Sequence, residues 1–316
     1  MSKFARKHHV VPQGYLAAFT DTGSRDGRLG VFDFETRRFF SAKPRNVGAE
    51  RDFNRIHVEG RDPDSLEKAL GDLEGAAISV IRRICTEGCV PPDDDFNWVL
   101  NLICLLIVRN PTTRRSLVRS RQQEARIIGG MLASNKSLYE HHVREAREAG
   151  DISGPDVPFE RFRRFVDGAD YGVSVSTDDS LQIEFGVFDA VLELLGHRCW
   201  SLLVAAPDAP DFLSCDRPVV VVYKNPTAHG PIGFGLPETE VTFPLGPRHT
   251  LLGVFENPFA QCVEIRGSEV RMLNGRIVRH AGRQLYGRGP VIGVSQNGQS
   301  ADIDLRSNRA LEPSAP

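Results

Sequence analysis

The chain has no Cys-x-x-Cys pair, no P-loop, no Gly-x-Ser-x-Gly and no His-Glu-x-x-His. These absences set aside the common zinc, phosphate-loop, esterase and zinc-peptidase signatures. Of its six cysteines, at 85, 89, 104, 199, 215 and 262, Cys85 and Cys89 are four apart, with no nearby histidine to complete a zinc pattern. Three of the six lie in apolar contexts and read as buried thiols, a usage that suits a reducing cytoplasm. Gly233-Phe234-Gly235 lacks the third glycine of a dinucleotide fingerprint. Long apolar runs are missing too. The longest, Val99–Val108, is broken by Asn101 and falls far short of the roughly 20 residues a membrane span needs. The N-terminus carries no apolar run of the signal-peptide kind. The expectation is a cytoplasmic protein without a membrane partner. Lysine is scarce: six of the 39 cationic residues are lysine, which leaves 33 arginines. That bias reflects either a GC-rich coding sequence or recognition of phosphate and carboxylate groups by the planar guanidinium. The net charge of -2 argues against whole-surface attraction to nucleic acid.

What is present is an ordinary globular composition over 316 residues, 41% hydrophobic and 25% charged. The most unusual stretch is Lys7–Phe19. Pro12 ends an extended segment and can open a helix, so Gln13–Phe19 is expected to be helical with Tyr15, Leu16 and Phe19 inward. Leu29–Phe34 and Arg38–Ala42 read as a β-hairpin. Leu66–Ile84 repeats apolar residues at helical spacing, with Asp64 or Ser65 as cap and Glu67 and Glu74 near one stripe. Those two carboxylates suit either metal or acid–base work or a solvated face. Phe96–Val108 is apolar nearly all round, as a buried helix is, and is expected to pack antiparallel on Leu66–Ile84. Arg109 follows it, then Asn110-Pro111. Thr112–Ala133, Ser137–Glu148, Pro158–Val166 and Leu181–Leu195 are further expected helices. The first of these carries Arg114, Arg115, Arg119, Arg121 and Arg126 against one acid, Glu124.

From Arg198 onward the pattern turns to strands: Cys199–Ala206, Phe212–Ser214, Val219–Tyr223, Glu240–Phe243, Thr250–Phe255 and Gln261–Ile265, with a turn over Pro244–Arg248. Leu273–Tyr286 reads as a closing helix. Arg271, Arg276, Arg279, His280, Arg283 and Arg288 accompany it, with no acid from 271 to 288. The order predicts an α+β fold: an N-terminal β-hairpin, a central helical bundle, and a C-terminal mixed or antiparallel sheet with a closing helix. The expected organisation is one domain over 1–296. Its helical portion covers about 64–197, its β-rich portion covers 1–57 plus 198–290, and 297–316 is a flexible tail.

The residues that look costly to keep are His9, Gln13, Arg109, Asp216 and Asn274. His9 offers a base near neutral pH, Gln13 could orient a water, and Arg109 could stabilise developing negative charge. Asp216 sits in a turn held by Pro218. Each also has a plain structural reading as hydrogen-bonder, helix-end cation, turn former or cap. Jointly they could line one pocket, with Arg276, Arg279 and Arg283 holding phosphates. Two functions compete on this reading. One is a phosphodiesterase or nuclease acting on RNA or DNA, with His9, Gln13, Arg109 and Asp216 catalytic. The other is a non-catalytic module that senses a small anionic ligand or peptide. A metal-finger nuclease would need Asn54 and His57 beside His9. No motif implies a cofactor.

The opening stretch resembles the bacterial proteins grouped as domain of unknown function 4238. Their motif, roughly His-x-Val-Pro-Gln-x-Tyr-Leu-x-x-Phe, maps onto His9, Val11, Pro12, Gln13, Tyr15, Leu16 and Phe19. The likeness continues through Glu67 and Glu74, Arg109-Asn110-Pro111, Ser214–Val219, Thr242–Pro247 and Asn274, to about Tyr286. Arg217 departs from it, since the family has a small polar residue there. The resemblance implies a fold more than a function. A toxin or phage-defence effector would be a suitable context for the enzyme reading, by analogy.

Overall fold

The computed structural model describes residues 7–51, 53, 65–91, 94–168, 171–174, 177–256, 261–296 and 298–307. In chain order they form β1 (Lys7–His9), α1 (Gln13–Ala17), β2 (Leu29–Asp33), β3 (Arg38–Ala42), β4 (Ala49–Arg51), α2 (Ser65–Glu87), α3 (Asp95–Val108), α4 (Pro111–Ser134), α5 (Lys136–Glu148), α6 (Phe159–Asp167) and α7 (Thr177–Gly196). The β-rich end follows: β5 (Cys199–Ala205), β6 (Ser214–Cys215), β7 (Val220–Tyr223), β8 (Thr239–Gly246), β9 (His249–Val254), β10 (Cys262–Ile265), α8 (Gly267–His280), β11 (Gln284–Gly287), β12 (Val291–Gln296) and β13 (Gln299–Asp304). This is the expected α+β order. The chain divides into two compact units, residues 1–113 with 184–316, and residues 114–183.

In the first unit, α2 and α3 pack together through the apolar repeats that predict them. Ile84, Val99, Leu102 and Ile103 are fully buried, and Leu105 is 3% exposed. Five strands in the order β10-β5-β9-β8-β7 make a mixed sheet, in which β10 alone runs parallel to its neighbour. A second sheet, β3-β2-β11-β6, joins the N-terminal hairpin to the C-terminal half, with Phe32 opposite Leu285. In the second unit, Tyr139 of α5 stacks on Phe162 of α6 with ring centroids 4.7 Å apart. Its hydroxyl donates to the Val157 carbonyl at 2.7 Å.

Four expectations are revised. β8 runs on through Pro244 to Gly246, where a turn is expected. A register shift between Pro244 and Gly246 lets the strand absorb a residue with no N–H to give. The short strands around Asp216 belong to different sheets: β6 pairs with β11, and β7 with β8. The closing helix begins at Gly267, not Leu273, because the Glu269 carboxylate accepts the Arg266 N–H at 2.8 Å and caps the first turn. It ends at His280, and Gln284–Gly287 is strand β11. Finally, Gln299–Asp304 pairs with β12 across Gly298, whose φ of 78° suits glycine. The ordered chain therefore extends past the expected tail boundary at 296.

Candidate functional site

The opening segment is pinned at both ends. β1 pairs with β4, and the N–H groups of Val10 and Val11 both donate to the Gly48 carbonyl, at 2.8 and 3.0 Å. Gly48 has φ 61°, and a Cβ there would lie 3.2–3.3 Å from Leu16 and Val11. Alternation along β1 sends His8 and His9 to opposite faces. His8 is 2% exposed and His9 is half-buried. Pro12 turns the chain into α1, which brings the Gln13 amide nitrogen 3.4 Å from His9 Nδ1. With the amide donating, His9 carries its proton on Nε2.

α1 is anchored by Tyr15, which is buried on all sides. Its hydroxyl donates to the Pro244 carbonyl at 2.8 Å and lies 2.9 Å from Ser214 Oγ. Its ring stacks on Phe243 at 5.2 Å. Three separate stretches, the opening motif, Ser214–Val219 and Thr242–Pro247, therefore meet at one phenol. Burial pushes the Tyr15 pKa up, so the group serves as a neutral hydrogen-bonding anchor.

Of the other expected site residues, Asp216 and Asn274 are engaged in holding the backbone. Asp216 accepts the N–H of Gly282 at 2.9 Å and of Arg283 at 2.7 Å. Asn274, fully buried, accepts the Leu213 N–H at 2.9 Å and donates to the carbonyls of Asp211 and Gly293 at 2.9 and 2.8 Å. All its near hydrogen-bonding capacity thus goes to main chain. Arg276 pairs with Glu240, and Arg283 reaches Asp33 at 3.0 Å and Glu35 at 3.2 Å. Arg279 is held below the usual arginine range by burial and by Arg276. Arg109 closes α3 with its side chain 4% exposed. Beside it, Asn110 accepts the Thr113 N–H at 2.8 Å, an N-cap that starts α4 at Pro111. Glu74 is half-buried; the Glu67 side chain, Asn54, His57 and Asp64 lie outside the described residues.

Next to α1 the first unit has a cavity of about 620 Å³. α1 contributes Gly14, Tyr15 and Ala18; α2 contributes Ile78, Ile81, Arg82, Cys85 and Thr86; the β8–β9 turn contributes Leu245–His249; Arg288 and the Thr20–Gly23 turn complete it. A Cβ at Gly14 would lie 2.3 Å from Ile78 Cδ1, so any larger residue there would displace that side chain. Apolar side chains form one wall and cations the other. Arg288 grips Asp211 with two bonds, at 2.6 and 2.5 Å, while Arg248 is 3.5 Å from the same carboxylate. Arg248 also donates to the carbonyls of Ala205 and Ala209 at 2.9 Å, and to that of Ala206. Two guanidiniums thus share one carboxylate. Arg82 is exposed at the rim and, among the described residues, has no acidic partner. Burial, and then Arg248, pushes the His249 pKa down, so this ring is neutral at pH 7. The Cys85 thiol is pushed up to about 12 by burial and stays protonated.

Arg82, Arg248 and His249 were missed by sequence reasoning. The signal for two of them was present: Arg248 and His249 directly follow the Thr242–Pro247 motif, in a turn that faces α1. Among the described residues, no group of three or more His, Cys, Asp or Glu could hold a metal ion. No helix is long and apolar enough to cross a membrane. A family model described as "Protein of unknown function (DUF4238)" matches residues 7–289. No curated protein and no solved structure matches the chain.

Proposed function

The chain belongs to the DUF4238 family, and from the cavity its motifs enclose we propose that the first unit binds a small ligand with an anionic group and an apolar body. The observation that carries this is the pair Arg248 and Arg288 on the single carboxylate of Asp211. Three arginines, Arg82, Arg248 and Arg288, meet two carboxylates, Asp211 and Asp21, so one positive charge is left over, and Arg82 at the rim has no acidic partner among the described residues. At an effective dielectric near 20, unit charges about 4 Å apart interact by about 4 kcal/mol. A phosphate or carboxylate entering there would offset that surplus, and the planar guanidinium fork suits either anion. Ile78, Ile81 and Leu245 offer the apolar body a surface. The neutral His249 ring supplies a further hydrogen-bond donor or acceptor to the ligand.

A panel of phosphomonoesters and short carboxylates, read by thermal shift, tests this. A ligand at about 100 times its Kd raises stability by about 2.7 kcal/mol. Arg82→Ala removes an exposed charge without touching the fold and should weaken that shift, and Arg82→Glu should abolish it. No stabilisation by any of these anions, or equal stabilisation of Arg82→Glu, overturns the reading. The enzyme reading, with His9 as base, is favoured by one contact, that of Gln13 with His9, which orients the ring at the strand-to-helix junction. Cleavage of labelled RNA or DNA by the wild type, lost in His9→Ala with the melting temperature kept, would establish a nuclease in place of a binding module.

A further inference from the structure

The second unit carries a different feature, and it does not depend on the cavity. At about 100° per residue, Arg115, Arg119 and Arg126 of α4 fall within about 40° of one line, while Arg121 lies about 140° away. All three are exposed. Arg119 and Arg126 have no acidic partner among the described residues, whereas Arg121 is paired with Glu124 at 2.8 Å. At 1.5 Å rise per residue the line is about 16 Å long. The exposed apolar residues of this helix, Ile127, Ile128 and Met131, lie on its other side.

We propose that this line of guanidiniums is a phosphodiester-binding stripe, and that its partner is the backbone of a nucleic acid. Charge complementarity in one dimension is the argument. A nucleic-acid strand presents a phosphate about every 3.4 Å along the axis, so the stripe spans roughly five of them. Solvent-facing guanidiniums such as Arg119 and Arg126 add nothing to folding, since exposed charges make small contributions even when they are paired. They do match a linear polyanion, with the forked geometry that phosphate oxygens accept. Contacts of this kind position a strand without reading its bases, so binding should not depend on base sequence.

The test uses the full chain and fluorescence anisotropy with labelled single-stranded RNA and duplex DNA, titrated in salt from about 50 mM upward. The wild type should bind at least one of them. The double variant Arg119→Ala with Arg126→Ala should bind more weakly, and its log–log salt slope should fall by about 1.5, two phosphate contacts at 0.7–0.9 each. Arg121→Ala removes the same charge from another face of the same helix and should leave affinity unchanged. The proposal fails if the wild type binds neither nucleic acid at low salt, if the double variant binds like the wild type, or if Arg121→Ala weakens binding as much as a stripe residue does. Retention on phosphatidylglycerol vesicles without any nucleic-acid binding would assign the stripe to an anionic membrane surface and overturn it equally.

Discussion

Two arginine-rich segments look alike in the sequence and differ completely in the structure. Residues 271–288 hold five arginines and no acid, and residues 114–126 hold five arginines and one acid. In the first segment Arg271 pairs with Asp302, Arg276 with Glu240, Arg283 with Asp33 and Glu35, and Arg288 with Asp211. Every one of those acids is at least 30 residues away along the chain. On α4 the pairing of Arg121 with Glu124 is local, and Arg119 and Arg126 stay open to solvent. The difference follows from packing. α8 lies against β12 and β6, and β11 sits between β2 and β6, so sheet neighbours bring acids to the arginines. An exposed helix face has no such neighbours. Charge density along the chain is therefore a poor guide to the field at the surface, and of the two segments only the second remains a candidate for holding a nucleic-acid strand.

If α8 and its pairings are structural, their polar groups should matter to stability and not to nucleic-acid binding. Asn274→Ala is the largest expected effect. It leaves the Leu213 N–H and two carbonyls buried without partners, at about 1–3 kcal/mol each where no water enters, so a loss of about 3–5 kcal/mol in denaturant unfolding is expected. A loss below about 1 kcal/mol would mean that water replaces the amide, and the comparison would weaken. Arg276→Ala comes next. It strands Glu240, which is mostly buried, and should cost about 2–3 kcal/mol, somewhat less than a fully buried broken pair. Nucleic-acid affinity should not change in either variant.

His280 sharpens the same point through pH. Burial, and then Arg217, holds its pKa near 4, against an ordinary 6.5. The folded value is depressed, so the unfolded chain takes up the proton first as pH falls. The stability contribution is present above about 6.5 and is lost as pH drops to about 4. His280→Gln should flatten this acid limb by something on the order of 2 kcal/mol, measured as unfolding free energy against pH. An unchanged limb would mean that the ring is already solvated in the folded protein.

Much of the architecture was legible in local pattern. Tyr15, Leu16 and Phe19 are buried where the spacing puts them, and α2 and α3 follow their apolar repeats. The hairpin β2–β3 turns at Glu35-Thr36-Arg37 as read, with Arg37 at φ 51°. What escaped was set by distant partners. α8 gives way to β11 where Asp216, 66 residues earlier, takes the N–H of Gly282. β13 looked like a tail because its outward positions are polar, although Asn297-Gly298 was a hairpin signal. The site shows the same division. Asp216 and Asn274 were singled out as polar groups that could line a pocket. A sequence cannot say whether such a group faces a ligand or a main-chain N–H, and here both face main chain. The cavity cations were harder still, since Arg82, Arg248 and Arg288 come from three separate regions of the chain.

The smallest effect is the most discriminating. Arg119→Ala and Arg126→Ala each remove an exposed side chain with no acidic partner among the described residues from a helix. Alanine is the better helix former by a few tenths of a kcal/mol, and neither lost charge had an acidic partner among the described residues. Stability should therefore stay within about 0.5 kcal/mol of wild type, or rise slightly. Arg276→Ala deletes the same charge and the same number of atoms, and should cost several times more. If thermal or denaturant unfolding shows the α4 variants losing about 2 kcal/mol or more, these arginines make folding contacts of the kind seen along α8. The two segments would then be alike after all, and the stripe would have a structural explanation. If stability is unchanged while affinity for RNA or DNA falls, the guanidiniums on α4 are maintained for a partner, because the fold gains nothing from them.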